Sequence, residues 1–286
     1  MDQSIINELL SDSIALYRHI QNVLRSSDWH REISELTKNE VKHASVVLFL
    51  ISQCPSQLTN GVGEVCLVLN KRSRHVKQAG DLCCPGGGLS WVVDNLYARL
   101  LRFPGSPLGR RRVWDNIGLG RLERQDKIRT NLPVLLAAGL REAWEEMRMN
   151  PLRFGFLGML PKQHLVMFKR VIYPIVGWIP SQSFKSNWEV ERVVRITFRQ
   201  LLTPENYARF QPVIMDNAFN QRSQLQKTDF PCYIHNGQRG RELLWGATYR
   251  IVQAFLNLVF DFTPPQFTDL PRVEHQLDET YLNGSR

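Results

Sequence analysis

Residues 140–149 read LREAWEEMRM, and the spacing of their acids decides how the chain is understood. On a helix Glu142, Glu145 and Glu146 stand at i, i+3 and i+4, so their carboxylates fall within roughly one third of the circumference. Three negative charges on one face repel one another, and something positive must offset them. Arg141, four residues before Glu145, can do part of this; divalent cations bound through carboxylate oxygens would do it best. Leu136, Leu140, Ala143, Trp144 and Met147 occupy the opposite side and would pin the helix to a core. Taken alone, the stretch suits a solvated helix face better than a site.

The upstream segment 80–88, GDLCCPGGG, changes that balance. Pro85 and three consecutive glycines are expected to form a loop, since they sustain neither a helix nor a central strand. Such a loop after a strand lets backbone approach a ligand closely, with carbonyls free to meet a cation and amides free to meet phosphate. The order of strand, PGG loop and REXXEE helix is the informative object.

At 286 residues and 43% hydrophobic, the chain can bury one large core with additions, or two small ones. A formal charge of +9 favours anionic partners, whether nucleic acid, acidic membrane surfaces or phosphorylated small molecules. The opening MDQSIINELLSDSIALYRHI carries acids early and lacks a basic start with an apolar stretch, so it does not read as a secretory signal. LLWGATYRIVQAFLNLVF is interrupted by Arg250, Gln253 and Asn257, which predicts one long buried helix rather than a membrane span. Five cysteines form no CxxC or zinc-like spacing, so reduced thiols in a cytoplasmic protein are expected, with Cys83 and Cys84 as small buried strand residues.

Helical periodicity marks residues 1–40 as an extension of one or two amphipathic helices. HASVVLFLIS and EVCLVLNKRS read as a hairpin around a turn at Asn60–Gly63. A helix is expected from about Pro133 to Met149, with Pro133 in its first turn and Asn150–Pro151 stopping it. FGFLGML and RVIYPIVGWI read as strands separated by a polar turn around Pro161–His164, and NWEVERVVRITF passes from loop into strand. Residues 89–130 hold nine Arg or Lys against four Asp or Glu and read as a basic insertion or lid. The expected organisation is a helical extension at 1–40, a main α/β domain at 41–262 containing that insertion, and a loose Pro-rich tail at 263–286.

Arg141-Glu142-Ala143-Trp144-Glu145-Glu146-Met147-Arg148-Met149, taken with Pro85-Gly86-Gly87, resembles the signature of the Nudix hydrolases: a Gly, five residues, a Glu, seven residues, then REUXEEXGU with U aliphatic. LVLNKRSRHVKQAGDLCCPGG is similar to the stretch found in the coenzyme A pyrophosphatase branch. VIYPIVGWI, NWEVERVVRITFRQLL and LLWGATYRIVQAFL resemble that branch's central strand, Glu-Val element and closing helix, so the likeness spans about residues 44–260. It implies a Nudix-type α/β/α sandwich with a mixed sheet. The chain departs from the signature at Arg148, where Gly is usual, and at Cys84, where an aromatic precedes PGG. Counting back eight from Arg141 lands on Pro133, so the first Glu lacks its counterpart there, and Asp94 is the available substitute.

By resemblance, Glu145 and Glu146 are metal ligands for Mg²⁺ or Mn²⁺, and Glu142 shares metal binding or acts as general base. The carbonyl of Gly86 would complete the shell, and Arg141 would orient the carboxylates. A further acid is expected from Glu189 or Glu191. Lys71, Arg72 and Arg74 precede the loop and are candidates for substrate phosphates, with Arg72 first because Arg suits bidentate contact; Gly87 is placed at the substrate with them. The implied reaction is metal-dependent hydrolysis of the diphosphate of coenzyme A or an acyl derivative. Its alternatives are another nucleoside diphosphate derivative such as NADH or ADP-ribose, or a Nudix fold that binds a nucleotide without cleaving it. The partner expected is thus a small molecule, with nucleic acid disfavoured and a homodimer left open.

Overall fold

The computed structural model describes residues 1–37, 40, 43–54, 64–102, 126–165, 170–214, 229–237, 239–277 and 281. The two β-branched runs form β1 (Ala44–Gln53) and β2 (Val65–Arg72), paired antiparallel with Leu50 opposite Val68. The expected turn at Asn60–Gly63 lies outside the described residues. Strand alternation sorts their side chains to two faces. Val46, Leu48, Leu50, Cys66 and Val68 point one way, and Phe49, Ile51, Leu67 and Leu69 the other.

Around this pair an eight-stranded mixed sheet assembles. Its other strands are β3 (Leu82–Cys83), β4 (Gly86–Gly88), β5 (Gly155–Met159), β6 (Gln163–Leu165), β7 (Arg170–Trp178) and β8 (Val190–Thr197). β7 runs parallel to β1, while β5 and β6 pair with β7 and β8 pairs with β2, all three antiparallel. The N-terminal helices are α1 (Gln3–Ser11), α2 (Ser13–Ser26) and α3 (Trp29–Ser34). Beyond β4 come α4 (Trp91–Arg102) and α5 (Asp126–Met147), then one-turn α6 (Phe198–Leu201) and α7 (Gly246–Phe260). α3 and α5 cover one face of the sheet, while α1, α2 and α7 cover the other. This is the expected α/β/α arrangement with a mixed sheet, and the N-terminal extension is part of its core.

Several elements differ from the sequence expectation. The glycine segment forms the short strand β4, with Gly86, Gly87 and Gly88 opposite Val47, Val46 and Ser45. A Cβ on Gly86 would lie 2.2 Å from the Val46 carbonyl oxygen, so the absence of side chains is what lets this backbone approach β1. α5 starts well before Pro133, which lies inside it. There the neighbouring Leu132, Val134, Leu135 and Leu136 are all buried, and their packing outweighs the local cost of proline. Part of the basic insertion is helix α4, whose Ala98 packs with Val134 and Ala137 of α5; the rest, 103–125, lies outside the described residues.

A second, four-stranded sheet was not anticipated. It has the order β11-β10-β9-β12, built from β9 (Tyr207–Ile214), β10 (Phe230–Gly237), β11 (Gly240–Trp245) and β12 (Arg272–Leu277). Leu243, Leu244 and Trp245 therefore belong to a strand, and α7 begins only at Gly246, where φ of +65° turns the chain. The tail expected to be loose is anchored in part. β12 pairs parallel with β9, and Tyr281 is buried with its hydroxyl donating to Asp81 Oδ2 at 2.5 Å. Trp245 Nε1 donates to the other oxygen at 3.0 Å, and burial raises the Asp81 pKa to about 6.

Candidate active site

α5 carries its acids to the β4 edge of the main sheet. Leu136, Leu140, Ala143 and Met147 are buried as the periodicity requires, whereas Trp144 is 47% exposed and does not join them. The opposite side of the helix meets the glycines. A Cβ on Gly87 would fall 2.5 Å from the Glu142 carboxyl carbon, so only a glycine leaves that carboxylate where it is.

Arg141 organises the cluster. Its Nε donates to Asp94 Oδ1 at 2.8 Å, one terminal nitrogen donates to Glu142 at 2.9 Å and Glu145 at 3.2 Å, and the other donates to the Gly88 carbonyl at 3.3 Å. Burial works against the arginine's charge, but the Asp94 hydrogen bond and the charges of Glu142 and Asp94 hold its pKa above the ordinary value. Asp94 is fully buried in α4 and also accepts from the Ser90 backbone at 2.6 Å. Counting backwards from Arg141 offers Asp94 only as a substitute without the signature's spacing. Forward from Gly88, the five residues Leu89–Val93 lead directly to Asp94, so the first half of the signature stands with Asp in place of Glu. The insertion falls after it and leaves its contact with Arg141 intact.

Glu146 is the most enclosed of the helix acids at 8% exposed. Its Oε2 accepts from Asn70 Nδ2 at 2.9 Å and from the Gly86 backbone at 3.2 Å. Burial raises its pKa to about 8, opposed by the Gly86 hydrogen bond and reinforced by the charges of Glu142 and Glu189. Burial likewise raises Glu142, whereas Glu145 has half of its side chain in solvent. Glu189 is thus the acid that the 181–189 loop brings within electrostatic reach of Glu146. The loop is held to the helix end by Asn187 N donating to Glu146 O at 2.9 Å and Lys185 N to Met147 O at 3.1 Å.

Glu191 and Lys71 go elsewhere. Adjacent strand residues face opposite sides, so while Asn70 points to Glu146, Lys71 points to Glu191 at 3.5 Å and Glu242 at 3.4 Å. The structure does not bring Lys71 to the acids. Arg72 lies close enough to lower the Glu146 pKa, with its Nε donating to the Lys77 carbonyl at 2.8 Å.

The helix ends as a glycine-terminated one would. Arg148 takes φ of +54°, its N–H donating to Trp144 O at 3.0 Å and that of Met149 to Ala143 O at 3.3 Å. Its guanidinium rests 5.4 Å from the Trp144 ring centroid. Arg148→Gly is expected to raise stability by about 0.5–1 kcal/mol, because the left-handed conformation costs a side-chain residue more than the exposed ring contact returns. A thermal melt with no rise, or a fall, would contradict this account of the cap.

Asp94, Glu142, Glu145, Glu146 and the buried Asn70 Oδ1, which has no partner among the described residues, are all hard oxygen donors. That donor chemistry fits Mg²⁺ or Mn²⁺. Among the described residues no three acids converge into a ready metal cluster, because Arg141 stands between Glu142 and Glu145.

No family model and no curated protein matches the chain. Among solved structures, a MutT/nudix family protein from Enterococcus faecalis is similar at 10% identity and a TM-score of 0.39, over 87% of this chain and 75% of that one. A Nudix hydrolase from M. smegmatis, RenU, is similar at 11% identity and a TM-score of 0.34, over 56% and 73%. The NUDIX domain of Shewanella oneidensis NrtR, complexed with ADP ribose, is similar at 12% identity and a TM-score of 0.32, over 62% and 87%.

Proposed function

We propose that the chain is a metal-dependent Nudix hydrolase that cleaves the diphosphate of coenzyme A or an acyl derivative, releasing 3′,5′-ADP and a phosphopantetheine product. One observation carries the reading: the PGG and REXXEE segments touch, through Gly86 N to Glu146 and Arg141 to the Gly88 carbonyl, although some fifty residues separate them. Two departures from the signature are consistent with this reading: Asp94 pairs with Arg141 where the first Glu is missing, and Arg148 takes the left-handed conformation usual for Gly.

A bound Mg²⁺ or Mn²⁺ would neutralise the diphosphate and make water easier to deprotonate. Glu145 and Glu146 would hold it, with Glu142 sharing ligation or taking the proton from the attacking water. These acids interact, so the base is a property of the group and Glu189 belongs to it. Arg141 fixes the Glu142 and Glu145 rotamers, and the Gly86–Gly87 backbone keeps Glu142 and Glu146 in place. Arg72, whose charge acts on Glu146, is the candidate cation for a substrate phosphate.

The test is a panel of coenzyme A, acetyl-coenzyme A, NADH and ADP-ribose incubated with the full chain and Mg²⁺ or Mn²⁺. Coenzyme A cleavage to 3′,5′-ADP is expected; preference for NADH or ADP-ribose would move the substrate, and no turnover with either metal overturns the reading. Gly87→Ala is expected to lower kcat about 10²-fold by displacing Glu142 roughly 1 Å while the protein still folds. Gly86→Ala, clashing with backbone instead, should lose the fold. Full activity in Gly87→Ala would argue against any role for the position of Glu142.

A further inference from the structure

A cleft of about 820 Å³ opens between β8, the 181–186 loop and the β10–β11 hairpin. Two residues of its lining, His235 and Gln182, each enclose a side-chain nitrogen without a partner among the described residues behind the cleft surface. His235 is 7% exposed, and its Nδ1 makes no hydrogen bond among the described residues. Gln182 Oε1 accepts from Asn150 N at 3.2 Å, which orients the amide and leaves the buried Nε2 without an acceptor. Arg195 lies over the Phe184 ring, 5.1 Å from its centroid, and donates to the Gln182 carbonyl at 3.2 Å.

The charge balance of the cleft is uneven. Arg192 is paired with Glu191 and Glu242, and Lys71 contacts the same two acids. The two carboxylates of the cleft, Glu191 and Glu242, are thus taken up by Arg192 and Lys71, which leaves Arg195 and Arg239 without a carboxylate partner among the described residues, beside the hydroxyls of Ser181, Ser183 and Ser186. A phosphate ester supplies several acceptor oxygens and the matching charge. The volume exceeds what phosphate alone fills and falls in the range of small-molecule sites, with Phe184, Val193 and Val194 as apolar wall.

Position connects this cleft to the acids of α5. Val193, in its wall, is the cross-strand partner of Asn70, whose amide holds Glu146. Neighbouring strands lie roughly 4.8 Å apart, so the cleft begins one strand away from the residue that grips the catalytic carboxylate. The same loop supplies Gln182 to the cleft and Glu189 to Glu146.

We infer that the cleft seats the phosphate monoester and adjoining nucleoside of a nucleotide on Arg195 and Arg239 against Phe184, Val193 and Val194, placing an attached diphosphate toward Glu146. Only the last clause rests on the hydrolase reading. Calorimetric titration of the full chain carrying Glu146→Gln is the test, with 3′,5′-ADP, adenosine and inorganic phosphate as probes. 3′,5′-ADP should bind at least about tenfold more tightly than either fragment, and Arg195→Gln or Arg239→Gln should each weaken it about tenfold, with Arg195→Lys recovering part. Arg31→Gln, an exposed charge on α3 far from the cleft in the fold, should change it less than about twofold by screening. Equal binding in the two cleft variants and the Arg31 control overturns the inference, as does phosphate binding as tightly as 3′,5′-ADP. Coenzyme A cleavage with unchanged KM in both cleft variants would leave the hydrolase reading standing and remove the cleft. Intact nucleotide binding that the cleft variants weaken, with no diphosphate cleaved, would do the reverse.

Discussion

Glu146→Gln should strongly reduce the proposed hydrolysis yet make the metal-free protein more stable at alkaline pH. If Glu146 acts as proposed, the loss of turnover is expected to be about 10²–10⁴-fold or more, since glutamine neither ionises nor takes a proton. The stability effect follows from burial. Glu146 has an ordinary pKa of 4.5 and a folded value of about 8, so the folded state binds a proton that the unfolded chain has released across that window. Stability of the metal-free wild type therefore falls as pH rises from about 4.5 to 8, and the penalty is complete above. At 1.36 kcal/mol per unit, the full effect is on the order of a few kcal/mol. Glutamine keeps an acceptor for Asn70 and Gly86 and has no charge to bury. Urea melts at pH 4.5 and pH 8.5 should show the variant gaining only at the higher pH. Mg²⁺ should narrow the gap by stabilising the wild type, because a ligand that binds only the folded state adds its binding energy. Parallel pH profiles for the two proteins would refute a buried, proton-binding Glu146.

How much of this could be read from sequence depends on whether the information was local. Glu142, Glu145 and Glu146 declare themselves because helical spacing is a short-range property, and Gly86 and Gly87 because a missing side chain signals close backbone approach. Asp94 is named as a substitute from the sequence, but its signature spacing appears only on counting from Gly88, because the insertion breaks the reckoning from the helix side. β12 could not be seen in a Pro-rich tail, because its partner β9 is some sixty residues away and parallel pairing leaves no turn signature between the strands. Trp245 reads as helix by apolar content, yet its bond to Asp81 and the positive φ of Gly246 make it the end of a strand. The 820 Å³ cleft is assembled from residues 181–195 and 235–242, and neither segment carries a motif alone.

Arg141→Ala is expected to be the most destabilising single change near the site, costing about 3–5 kcal/mol, because it strands a buried carboxylate rather than simply removing a contact. Asp94 is fully buried, and its side-chain partner among the described residues is Arg141. Without the guanidinium, Asp94 must take up a proton or admit water, and Glu142 and Glu145 lose the charge that screens their repulsion. Arg141→Lys keeps the charge but not the fork that reaches Asp94, Glu142, Glu145 and the Gly88 carbonyl together, so it should fall between wild type and alanine. The decisive comparison is a double-mutant cycle with Asp94→Asn. If the cost is that of an unpaired buried charge, Asp94→Asn should be mildly destabilising alone, and Arg141→Ala in that background should cost much less than in wild type. Additive losses in urea denaturation would mean that Arg141 stabilises the fold through packing, and that Asp94 is not the group standing in for the first signature glutamate.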